Sequence, residues 1–181
     1  LHETVGPGEA DPVAHYLQVL ADKTGSLIAT SARYGALFAG CDEATVATMQ
    51  TYGEKIGLAF QLADDVIDLT SSGGETGKTP GTDLRERVPT MPVLLLRARA
   101  AEPDASAEDR ALVALLDSDL SDDEVLARAV AALSGHAVVE QTRALAAQRA
   151  AEAVAALGSL PSGPVRDSLE SFARSLVERA A

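Results

Sequence analysis

Residues 59–69 read Ala59-Phe60-Gln61-Leu62-Ala63-Asp64-Asp65-Val66-Ile67-Asp68-Leu69, AFQLADDVIDL, and the chain then continues TSSGGETGKTPGTDL. At about 100° per residue, Gln61, Asp64, Asp65 and Asp68 fall within a helical sector of about 100°, with Leu62, Ala63, Val66 and Ile67 opposite. Three carboxylates therefore share one face of a helix that is otherwise apolar. Like charges at i,i+4, here Asp64 and Asp68, cost a helix about 0.2–0.5 kcal/mol. Their place at the C-terminal end adds about 0.3–1 kcal/mol each, because the macrodipole is negative there. Selection for stability alone disfavours such a stripe. A hard divalent cation accounts for it: Mg²⁺ is held by one or two carboxylates while substrate phosphates and water complete its shell. Gln61, one turn earlier, can hydrogen-bond a ligating carboxylate or water. The ordinary alternative is a solvated acidic face, and the neighbouring residues bear on the choice.

The rest of the chain frames that helix. Its 181 residues are 46% hydrophobic and only 3% aromatic, with no Trp and with alanine- and leucine-rich stretches at 110–116 and 137–157. The expectation is an all-α protein forming a single domain over residues 1–181. A formal charge of -12 repels phosphate backbones and anionic membrane surfaces, which argues against nucleic acid as a partner. An anionic substrate needs local cations or metal. Cys41 is the one cysteine, so no intrachain disulfide forms and a reduced cytoplasmic setting is expected. No apolar run approaches the ~20 residues of a transmembrane segment, since Arg97 interrupts MPVLLLRA and Gly158 ends the alanine-rich stretch. The opening, LHETVGPGEADP, has no initiator Met and no signal-like pattern, and is expected to be the middle of something longer.

Punctuation by proline, glycine and capping residues predicts a helix from Pro12 to Gly40 and a second from Asp42, as cap, to Leu69, with Gly53 and Gly57 as points of close packing. Residues 71–83 read as a loop. Pro89 and Pro92 bracket the entry to MPVLLLRARA, a helix whose leucine run is expected to be buried. Four more helices are predicted at Asp104 to Asp117, Ser121 to Leu133, His136 to Leu157 and Pro164 to Arg179.

Twelve arginines accompany only three lysines, Lys23, Lys55 and Lys78. Lys23 precedes Thr24, and Lys78 lies between Gly77 and Thr79, so two of the three stand beside groups that suit phosphate. Lysine acts there as a compact point charge on a flexible stem. Lys55 reads as a helix-surface charge. The string GETGKT is no P-loop: Ser72 stands where the leading glycine belongs, and the loop follows a helix rather than a strand. The metal pattern of class I terpene cyclases fails as well, since Asp68 and Ser72 replace its hydroxyl and glutamate positions. His2, His15 and His136 lack the neighbours of a catalytic histidine.

Taken together, FQLADDVID, GKTPGTDL and the upstream ADKTGSLIATSARYGA resemble the C-terminal half of a trans-isoprenyl diphosphate synthase, the polyprenyl synthetase family. The order and spacing agree over about residues 12–100. The resemblance implies a helical bundle of the isoprenoid synthase type, C-terminal part only. It implies a prenyltransferase that condenses isopentenyl diphosphate with an allylic diphosphate through a Mg²⁺-assisted allylic cation. Asp64, Asp65 and Asp68 are then the metal set, with Asp64 and Asp68 as ligands and Asp65 and Gln61 in support. Lys23, Thr24 and Lys78 contact diphosphate oxygens, Phe60 lines the pocket near isopentenyl diphosphate, and Lys23, Thr24, Gln61 and Lys78 form the catalytic set. A homodimer is usual in the family.

Two departures qualify this. RVPTMP, residues 87–92, lacks the loop lysine that many members carry, and the sequence assigns Arg87 no role. The family's first aspartate-rich motif belongs to an N-terminal half not found in these residues, so the 181-residue polypeptide alone is expected to be inactive. A second reading stays open on the residues: a non-catalytic helical partner subunit of a prenyl synthase.

Overall fold

The computed structural model describes residue 8, residues 11–70 and residues 80–180, and the described residues form helices and turns with no strand. Helix α1 (Pro12–Leu20) begins with proline, whose missing N–H costs nothing in a first turn. Asp11 Oδ1 accepts the Ala14 N–H at 2.8 Å and satisfies one of the orphan donors. The chain then passes through a π turn (Ala21–Gly25) into α2 (Ser26–Phe38). The uninterrupted helix predicted from Pro12 to Gly40 is thus corrected. The Ser26 N–H donates to the Ala21 carbonyl five residues back, and the extra residue turns everything beyond it by about 100° relative to a plain α-helix. Gly40, at φ 75°, ends the segment, and the Cys41 N–H closes onto the Ala36 carbonyl at 3.1 Å.

Asp42 caps α3 (Glu43–Thr70) by accepting the Thr45 N–H at 2.8 Å, a bond to Thr45 that also holds its carboxyl below the ordinary value. A short helix α4 (Thr82–Arg85) follows, then α5 (Met91–Ala101), α6 (Ala107–Leu116), α7 (Asp123–Ser134), α8 (Ala137–Ala156), a 3₁₀ turn (Leu157–Ser159) and α9 (Pro164–Glu178). The predicted starts near Asp104 and Ser121 move to Ala107 and Asp123, because Ser106 and Asp122 are the capping residues: their side chains accept the Asp109 and Glu124 N–H groups. In α5, Met91, Pro92, Val93 and Leu96 are buried while Leu94 and Leu95 are half-buried, so the leucine run is one-sided rather than enclosed.

Contacts cluster into two compact units, one of Leu1–Ala63 with Arg143–Ala181 and one of Asp64–Thr142. In the first, α2 and α3 meet backbone to backbone. A Cβ on Gly53 would stand 2.5 Å from the Ala29 Cα, and one on Gly57 would stand 2.7 Å from the Gly25 Cα. The sequence marked Gly53 and Gly57, and their partners Gly25 and Ala29 repeat the same four-residue spacing. Lys55 pairs with Glu152 at 3.1 Å, and the Tyr52 hydroxyl donates to the Leu169 carbonyl at 2.9 Å. Burial pushes that phenol up to about 12. In the second unit, Val66, Leu84, Met91, Leu96, Leu133 and Val138 lie in the core.

Candidate functional site

The last turns of α3 bury Leu62, Ala63, Val66 and Leu69, and the three aspartates meet that apolar arc differently. Asp64 is exposed and Asp68 is half-buried. Asp65, about 40° around the helix from Leu69, lies at the edge of the stripe and is only 5% exposed. Its Oδ2 accepts the Met91 N–H at 2.9 Å. Thr90, the residue at the cap position of α5, makes no side-chain cap bond, so Asp65 satisfies a donor at that helix start from 26 residues away. A carboxylate there also meets the positive end of the helix dipole.

Asp68 is tied to the chain that follows the glycine loop. Its carbonyl accepts the Gly81 N–H at 2.9 Å, and its Oδ2 accepts the Asp83 N–H at 3.3 Å. Gly81 holds φ 77°, and a Cβ there would meet the Val130 side chain at 2.3 Å, so glycine is required on both counts. Ser134 donates its hydroxyl to the Leu69 carbonyl at 2.9 Å, anchoring the same end of α3 to α7.

Lys23 and Thr24 occupy the π turn, Lys23 exposed and Thr24 half-buried. Contact of Gly25 with Gly57 seats the turn on α3 one helical turn before Phe60 and Gln61, both half-buried. The structure thus brings the Lys23–Thr24 turn to the Gly57–Gln61 stretch within one unit, while Asp64, Asp65 and Asp68 belong to the other. Lys78 lies outside the described residues.

Among the described residues, no three His, Cys, Asp or Glu side chains group to hold an ion. The oxygen donors that fit a hard cation are Asp64 and Asp68, one turn apart, and two carboxylates are the usual protein share of a Mg²⁺ shell that phosphates and water complete. Asp65 is committed to Met91.

Two features carried no signal in the sequence. His136 Nε2 lies 2.9 Å from Asp109 Oδ1, Asp109 buried and His136 half-buried, and the Val138 N–H donates to His136 Nδ1 at 3.3 Å. That network assigns the ring proton to Nε2. Burial pushes the Asp109 carboxyl up, but the bonds to His136 and Ser106 and the nearby Arg99 charge outweigh it and hold the group below its ordinary value. Arg87, left without a role above, adopts φ 58° and donates from its guanidinium to the Ser118 carbonyl at 3.0 Å. It braces the loop before α5. Pairs 27 and 31 residues apart leave no periodic trace.

Residues 6–133 match the family model described as polyprenyl synthetase. The chain is 37% identical over 180 residues to the nonaprenyl diphosphate synthase of Mycobacterium tuberculosis, covering 99% of this chain and 52% of that protein. It is 32% identical over 165 residues to the octaprenyl diphosphate synthase of Escherichia coli, covering 91% and 50%. The geranylgeranyl pyrophosphate synthase of Corynebacterium glutamicum, solved with calcium and isoprenyl diphosphate, superposes with a TM-score of 0.87 at 35% identity, over 99% of this chain and 55% of that one. The chain spans about half the length of the relatives it matches.

Proposed function

The chain belongs to the polyprenyl synthetase family, and on that premise we propose that it carries the metal-binding and diphosphate-binding half of a prenyl diphosphate synthase. The reaction is condensation of isopentenyl diphosphate with an allylic diphosphate. The carbon–oxygen bond of the allylic substrate breaks, its diphosphate leaves, and the double bond of isopentenyl diphosphate attacks the allylic carbon. Loss of a proton then gives a product longer by five carbons.

The observation that carries this reading is the different treatment of neighbouring aspartates: Asp65 is committed to the Met91 N–H, while exposed Asp64 and half-buried Asp68 stay one turn apart at the end of α3. Asp64 and Asp68 would hold Mg²⁺, which when bound supplies positive charge that stabilises the departing diphosphate. Asp65 and Gln61 support those ligands, Asp65 by fixing the start of α5 against α3. The Lys23 ammonium and the Thr24 hydroxyl bind diphosphate oxygens, with Lys78 a third such group. Phe60 excludes water near the isopentenyl substrate, as a reactive cation requires. Calcium and isoprenyl diphosphate in the Corynebacterium structure support a divalent cation in the family. No helix among the described residues is long and apolar enough to cross a membrane; the single cysteine supports a reduced, cytoplasmic setting. A homodimer, usual in the family, is part of the proposal.

The test is incorporation of labelled isopentenyl diphosphate with Mg²⁺ by this polypeptide alone and mixed with the part of the Corynebacterium synthase that it does not match. The expected result is no turnover alone, turnover in the mixture, and a loss of about 10²–10³-fold in Asp64→Ala or Asp68→Ala, as for removal of one transition-state charge stabiliser. Turnover that survives both substitutions would falsify the assignment.

A further inference from the structure

We propose that Arg87 is a positioning residue for the acidic end of α3. Its guanidinium ties the segment after α4 to the connection between α6 and α7, and that segment presents the backbone N–H groups that hold Asp68 and Asp65. The role rests on the proposed binding of a cation and diphosphate by Asp64 and Asp68. Every residue in it belongs to the Asp64–Thr142 unit.

Residues 81–91 are stitched to the end of α3 at both of their own ends. At the entry, the Gly81 N–H donates to the Asp68 carbonyl and the Asp83 N–H to Asp68 Oδ2; at the exit, the Met91 N–H donates to Asp65 Oδ2. Between these points the chain has to reverse, and it does so where α4 closes in a Schellman motif. The Val88 N–H donates to the Asp83 carbonyl at 2.9 Å and the Arg87 N–H to the Leu84 carbonyl at 3.1 Å. The Thr90 N–H then donates to the Val88 carbonyl at 2.9 Å, which carries the path on to Met91. The motif needs a left-handed residue just after the cap, most often glycine, and Arg87 fills that place at φ 58°.

A Cβ in that conformation is strained, so a side chain at position 87 works against the fold unless it makes a contact that glycine cannot. Arg87 makes one: its guanidinium donates to the Ser118 carbonyl at 3.0 Å. Ser118 follows the C-terminal end of α6, where the helix dipole is negative and a cation is favoured. The bond from Arg97 chiefly, and the Arg87 charge as well, hold the neighbouring Asp117 carboxyl below its ordinary value. Ser118 is itself fixed, since its hydroxyl and its N–H both donate to the Leu115 carbonyl, at 2.6 and 3.2 Å. A strap therefore runs from the end of α6 through Arg87 to two N–H groups seated on α3 carboxylates. Donors of this kind set the orientation of a ligating carboxylate without touching the ion.

The test uses the 181-residue chain with Arg87→Gly, which removes the guanidinium and gives the left-handed position the residue it favours. Amide hydrogen exchange at Asp83 and Met91 is followed by NMR, and binding of Mg²⁺ with inorganic pyrophosphate by calorimetry. The thermal midpoint should stay near the parent's, because relief of the backbone offsets the lost bond. Exchange at both amides should quicken more than about 10-fold while the core amide of Leu133 is unchanged. Affinity for Mg²⁺ with pyrophosphate should fall about 10-fold, as when a ligating group loses an outer partner. Arg87→Lys, whose ammonium can still donate to the Ser118 carbonyl, should restore both. Arg85→Gln removes a neighbouring positive charge, paired with Asp123 on the surface, but not the strap, and should leave both at the parent's values. Exchange that does not respond, or an affinity that holds while exchange quickens, overturns the positioning role alone. A parent that binds no Mg²⁺ with pyrophosphate overturns the proposed function and this role with it.

Discussion

Two acidic regions of the Asp64–Thr142 unit use the same side chain to opposite ends. At Asp109 the carboxylate is buried and spends its oxygens on His136 and, at 3.6 Å, on Arg99, all from the chain itself. At the end of α3, Asp64 is exposed beside like charges and against the helix dipole, an arrangement that costs stability. A carboxylate that serves the fold is satisfied where it stands. One proposed to serve a ligand stands where folding alone disfavours it, and Asp65 shows how narrow the boundary is: the residue beside Asp64 has become a helix cap.

Removing Asp109 is the sharpest way to break the comparison. Asp109→Ala leaves the half-buried His136 without its acceptor and should give the largest fall in thermal stability of the aspartate substitutions, measured by calorimetry. Because the Asp109 carboxyl is held below its ordinary value of 3.8, its contribution is present above that pH and lost as pH falls through the still lower folded value. The parent should therefore lose stability on acidification more steeply than Asp109→Asn. Equal slopes would deny the pair its role.

Asp65→Ala should cost about 1–3 kcal/mol in denaturant unfolding, the penalty for a buried N–H left unsatisfied at Met91. A cost no greater than that of a surface change would return Asp65 to the ligand set. The smallest effect has the opposite sign. Asp64→Asn should raise stability by about 0.3–1 kcal/mol, by removing a like-charge pair and an unfavourable dipole contact, while turnover in the assembled enzyme falls. Destabilisation by Asp64→Asn would show that this carboxylate, too, serves the fold.

Much of this was legible along the chain. The caps at Asp42, Ser106 and Asp122 bond within two or three residues, and Gly53 and Gly57 marked a close approach by spacing alone. For Ser106 and Asp122 the predicted starts were early, because several acidic and hydroxyl residues compete for each cap and only the backbone geometry selects one. The π turn at Lys23–Thr24 was not legible, since one inserted residue barely disturbs an apolar pattern already broken by ADKTG.

The sequence by itself determined the all-α class and the carboxylate stripe, because these depend on contacts within a turn or two of one helix. Only the tertiary structure decided which carboxylates the fold consumes. Asp65 reaches Met91 across 26 residues and Asp109 reaches His136 across 27, and such long-range bonds depend on which buried donors need an acceptor after packing, which no periodicity records.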